Sequence, residues 1–121
     1  MIEVADWRPP IIEMVMAKKE LAEWDPDGIF PNHLPELAAE PEAIESAEDA
    51  LGVVLDGEHR RFLSFADGWK CFHQNVSLFG TRELVDGPLR AAALQSFEYA
   101  PELLADYGWS PGLLLPIAAS L

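Results

Sequence analysis

Cysteine, positive charge and long apolar runs are what this chain has least of. Cys71 is its only cysteine, so no intrachain disulfide can staple the fold, which fits a reducing cytoplasm. No apolar run approaches the roughly 18 residues that a membrane span requires, and a soluble protein with no membrane partner is expected. The opening residues MIEVADWRPP hold acids and prolines where a secretory peptide would place basic residues and then an apolar stretch, so export is not expected. Eight lysines and arginines stand against 21 aspartates and glutamates, a formal net charge of −13. No basic cluster exceeds Lys18-Lys19 or Arg60-Arg61. Nucleic-acid binding needs a basic patch that displaces counterions from phosphates, so a nucleic-acid partner is not expected either.

Patterns that carry chemistry are equally scarce. His33, His59 and His73 lie at least 14 residues apart, and Cys71 with His73 is a lone C-x-H without the second pair of a tetrahedral zinc site. Lys70 adjoins Cys71, but strand alternation would send the two side chains to opposite faces, leaving a half-buried, unactivated thiol. Ser64 and Ser77 sit in no G-x-S-x-G elbow, and no glycine loop has the spacing of a phosphate cradle. No metal, no cofactor and no catalytic residue are expected. An enzyme would require titratable groups converging in a pocket.

What the chain does have is packing instruction. Half of its 121 residues are hydrophobic, enough for the core of one domain, residues 1–121. The richest stretch runs from Ile44 to Trp69. Ile44, Ala47 and Leu51 repeat at i, i+3 and i+7, and Gly52 suits the left-handed turn that ends a helix. Asp56 offers a side-chain oxygen to the free amides of a second helix, whose Phe62, Leu63, Phe65 and Ala66 face inward before Asp67-Gly68 breaks it. Upstream, Pro9-Pro10 set up a helix from Ile11 to Trp24, with Ile11, Met14, Leu21 and Trp24 as an apolar line and Lys18, Lys19, Glu20 and Glu23 on the wetter side. Asp25-Pro26-Asp27-Gly28 makes a turn, and Phe30 and Leu34 of the proline-punctuated loop after it tuck into the core. A short turn is expected near Glu36 to Ala39. Cys71 to Phe79 reads as strand, Leu89–Phe97 and Pro101–Tyr107 as helical pieces, and Leu113–Ala118 as a buried strand. The sum is an α+β fold with helices packed on a small, largely antiparallel sheet.

The order Ile44, Glu48, Leu51-Gly52, Leu55, Phe62-Leu63, Asp67-Gly68-Trp69 resembles the signature of the SUKH superfamily, in its Smi/Knr-type branch. Val76 to Gly80 and Glu83-Leu84 resemble the family's first strands and the segment after them, placing the signature at 44–84, and Leu115-Pro116-Ile117-Ala118 resembles its next core strand. Two turns depart from the family pattern. Asp56-Gly57 stands where a proline is usual, and Asp67-Gly68 where Asn-Gly is common; both keep the turn chemistry. Family members normally continue into further strands and a closing helix, whereas this sequence stops at Leu121, so the resemblance implies that the C-terminal part is absent. An apolar strand edge left open there predicts a homodimer through the C-terminal strand.

Charge points in the same direction as the resemblance. Residues 1–50 hold thirteen acids and three bases, and such a field steers a basic protein partner while also serving solubility. Glu45, Glu48 and Asp49 share a helical face that reads as solvated. Asp67 sits at a helix end, where negative charge opposes the macrodipole, and reads as a turn hydrogen bond or a contact. The resemblance implies a bacterial immunity protein that occludes a cognate toxin, often a nuclease, or a regulatory or scaffold module like the fungal members. In the immunity picture Glu45, Glu48, Asp49, Asp67 and Asp86 meet a basic toxin domain and Trp69 anchors the centre.

Overall fold

Helix α1 (Arg8–Glu23) begins on Pro9-Pro10, whose fixed φ suits the first turn and whose missing N–H groups fall where a helix has no acceptor for them. These elements belong to a computed structural model that describes residues 6–99, 101–110, 112 and 114–121. The inward stripe of α1 is Ile11, Val15, Lys18 and Ala22, all half-buried, and none of its residues is fully buried. That corrects the expected line: Leu21 and Trp24 face solvent at 66% and 81% exposure, and Lys18 is not on the wet side. The cause is the Lys18 amine, which donates to the carbonyls of Cys71 at 2.8 Å and Phe72 at 3.0 Å and so turns the helix about its axis.

Helix α2 (Pro41–Leu51) follows its sequence pattern, with Ile44 and Ala47 buried and Leu51 half-buried. Gly52 ends it at φ 70°, its N–H donating to the Glu48 carbonyl at 2.8 Å. Helix α3 (Gly57–Leu63) is capped by the Asp56 carboxylate, which accepts from the Glu58 N–H at 3.0 Å; such a cap contributes about 1 kcal/mol. Leu63 and Ala66 are fully enclosed, while Phe62 and Phe65 are half-buried.

The strand expected over Cys71 to Phe79 is a hairpin, β1 (Trp69–His73) and β2 (Val76–Leu78), with Gln74 at φ 54° in its turn. Trp69 lies opposite Leu78 and His73 opposite Val76, so β1 carries extra residues and bulges around Cys71, at φ 51°. Alternation therefore does not govern Lys70 and Cys71, although the thiol is free and half-buried as expected. Helices α4 (Thr81–Val85), α5 (Pro88–Tyr99) and α6 (Pro101–Asp106) come next, the last two close to their expected bounds. β3 (Ala118–Ala119) pairs antiparallel with β2 and completes the order β1-β2-β3. It is shorter and later than the strand expected over Leu113–Ala118, where Leu113 lies outside the described residues and 114–117 form no strand.

The architecture is α+β: among the described residues, six helices pack with one three-stranded antiparallel sheet. Trp69, Phe79, Leu63 and Leu84 are the largest side chains fully enclosed, each worth about 1.5–3 kcal/mol of apolar burial. Residues 36–39 are an extended strap rather than a turn. The Glu36 N–H donates to Gly68 O at 3.0 Å, the Asp67 N–H to Leu37 O at 3.0 Å and the Ala39 N–H to Leu63 O at 2.9 Å. Phe30 and Leu34 stay outside the core, 45% and 72% exposed. Their loop is closed locally, by an Asp25 carboxylate that accepts from the Ile29 and Phe30 N–H groups at 3.1 and 2.8 Å.

Candidate functional site

Two glycines packed back to back organise the centre of the sequence signature. Gly68 has φ 94°, and a Cβ there would lie 2.7 Å from the Gly80 nitrogen; a Cβ on Gly80 would collide with the Asp67 carbonyl oxygen. Only glycine permits this approach. It brings the Asp67 carboxylate onto Thr81, whose N–H donates at 2.6 Å and whose hydroxyl donates at 3.0 Å. Of the two roles weighed for Asp67, the hydrogen-bonded turn is the one observed. Trp69 is 1% exposed, and its indole N–H donates to the His33 carbonyl at 2.8 Å. It cannot anchor a partner from that position, which corrects the role that the immunity picture gives it.

The six acid and tryptophan candidates divide between two depressions. Asp67, Trp69 and Asp86 border an open groove of about 760 Å³ with Glu36, Lys70, Arg82 and Glu83. Glu45, Glu48 and Asp49 border another of about 430 Å³, beside the exposed Val53 and Val54. Within the second group Glu48 departs from the solvated-face expectation. It is buried, accepts from the Leu55 N–H at 2.7 Å and lies 3.7 Å from Arg60. One turn on from Ile44, it faces the α2–α3 connection and closes it. Glu45, Asp49 and Asp86 are exposed and available to a partner.

Sequence reasoning missed the largest apolar display. Nine of the eighteen large hydrophobic side chains exposed among the described residues lie between Ile12 and Leu37, including Met16, Leu21, Trp24, Ile29 and Phe30. Glu13, Glu20, Glu23, Asp27 and Glu36 are interleaved with them. So many exposed apolar side chains in one segment are a feature of interaction surfaces. Apolar residues on both sides of the Ile11–Val15–Lys18–Ala22 stripe were the available signal, since a helix with one buried face needs only one apolar stripe.

A cavity of about 410 Å³ also lies under the first half of α1, lined by rings from α3 and the hairpin. Trp7 meets Phe62 edge to face at 5.3 Å, and Trp69 meets Phe72 likewise at 5.1 Å. Burial pushes the His59 imidazole below its ordinary pKa, with Asp56 acting weakly against that. Among the described residues the buried Trp7 indole nitrogen has no hydrogen-bond partner. At the start of α1, Arg8 stands 5.9 Å over the Phe65 ring and bonds Asp6 at 3.0 Å, holding that carboxyl below its usual range.

Among the described residues no three His, Cys, Asp or Glu side chains converge as metal ligands would, and no helix is long and apolar enough to cross a membrane. No family model, no curated protein and no solved structure matches this chain.

Proposed function

We propose that this chain is a non-enzymatic, protein-binding domain of SUKH type, and that its partner is a basic toxin domain which it neutralises by occlusion. The observation that carries the proposal is the density of exposed apolar side chains, with acids between them in sequence, from Ile12 to Leu37. Apolar anchors ringed by carboxylates suit a partner that presents lysines and arginines around an apolar centre. Glu45, Asp49 and Asp86 extend the negative field that guides such a partner. Asp67, Glu48 and Trp69 act one step removed, by holding the turn and the α2–α3 connection in shape. The likeness to SUKH domains is supported by how residues 44–84 pack, because Gly52, Asp67, Gly68, Trp69 and Gly80 each meet a physical requirement. A cytoplasmic site of action suits the single free thiol.

Co-expression with the toxin encoded beside it should restore growth of a host that the toxin otherwise arrests. The purified pair should associate more slowly as salt rises, because steering acts only over about 8 Å at physiological ionic strength. Absence of binding to any neighbouring toxin would contradict the proposal. A complex whose association ignores salt would instead favour a scaffold role on an apolar contact.

A further inference from the structure

We propose that the cavity beneath α1 is a binding site for a small, uncharged aromatic molecule. Its volume of about 410 Å³ falls in the range of small-molecule pockets. Its lining is almost wholly apolar and it opens to solvent, so an apolar guest that fills it removes apolar surface from water. The walls select rings: Trp7, Phe62, Trp69, Phe72 and Phe79 line it, and the two pairs already arranged edge to face at 5.3 and 5.1 Å show the geometry a guest ring would extend.

Charge is excluded on two grounds. Either sign of charge would lose its hydration against an almost wholly apolar lining, and the lining acid Glu58 is paired with Arg61 at 3.2 Å; an anion also meets the field of a chain at −13. Two polar groups suit a single hydrogen-bonding substituent. His59 lines the cavity and is held neutral by burial, and among the described residues the Trp7 indole N–H lacks an acceptor, which a guest oxygen would supply.

The test uses 2-naphthol with the whole chain, followed by calorimetry, beside 2-naphthoate and 2-naphthylmethylammonium as charged counterparts. The expected result is saturable binding of one naphthol per chain, with the charged analogues at least about tenfold weaker. Met14→Phe and Ile117→Phe narrow the cavity at positions 38% and 52% exposed, and each should weaken naphthol at least about tenfold. Leu103→Phe, which lies outside the lining, should leave binding unchanged. In the unsubstituted protein the Trp7 indole N–H and Met14 methyl resonances should shift on titration, a readout independent of how the variants fold. No saturable binding, equal affinity for all three compounds, or stationary Trp7 and Met14 resonances would overturn the proposal.

Discussion

Two of the three tryptophans that stand within two residues of an aspartate meet opposite fates. Asp67 precedes Trp69 by two residues and Trp24 precedes Asp25 by one, yet Trp69 is 1% exposed and Trp24 is 81% exposed. The carboxylates explain the difference. Asp67 reaches Thr81, fourteen residues away, and draws its loop against the Phe79-Gly80 backbone. Asp25 bonds the N–H groups of Ile29 and Phe30, four and five residues on, and rounds its loop off at the surface. Asp67, bonding at long range, ties its neighbourhood to the core, whereas Asp25 satisfies only nearby backbone, and the apolar side chains around it stay exposed. One region supplies stability, and the other carries the exposed side chains that the proposed function assigns to a partner.

Substitutions should separate the two regions, and the largest effect is expected at the glycine pair. Gly80→Ala forces a methyl into the Asp67 carbonyl and should cost about 4 kcal/mol or more in urea denaturation, enough to unfold a domain of ordinary stability. Asp67→Ala strips Thr81 of both its bonds and should cost about 2 kcal/mol. Asp25→Ala, removing the same number of bonds from an exposed loop, should cost about 0.5–1 kcal/mol. A reversed order of these two would break the comparison.

The sequence made the dense region legible and the display illegible, and the same physics accounts for both. Helix α2, its Gly52 stop and the Asp56 cap each depend on residues a few positions apart, so local patterns reveal them. The orientation of α1 depends on Lys18 finding two carbonyls more than fifty residues downstream, on a bulge that no periodicity announces. Burial of Glu48 was hidden for a related reason: a glutamate one turn from Ile44 reads as a wet-face acid until the Leu55 N–H is seen to need it. Only the immunity picture gives Trp69 an anchoring role, and the stretch from His33 to Ala39 that holds it in the core leaves no local mark.

His59 gives a pH-dependent view of how α1 and α3 close over the cavity. Its folded pKa lies below the ordinary 6.5. Above that value both folded and unfolded chains carry a neutral imidazole. As the pH falls through it, the unfolded chain takes the proton first, and stability is lost until the folded pKa is reached. Replacing His59 by Leu should flatten the urea midpoint between about pH 7 and pH 5; an unchanged slope would remove His59 from the account. The smallest effect belongs to the display itself. Trp24→Ser should change stability by less than about 0.5 kcal/mol while slowing or weakening capture of a basic partner, measured by surface binding kinetics.

Native-state amide hydrogen exchange tests the central contrast most directly. The amides of Ala66, Phe79 and Leu84, which donate to Phe62, Ile117 and Gly80, should exchange only when the whole domain unfolds. Those in the middle of α1, Val15 to Ala22, should exchange at least about 100-fold faster, through an opening that leaves the Gly68–Gly80 contact intact. Equal protection in the two regions would contradict the contrast between a stabilising turn and a loosely held helix α1.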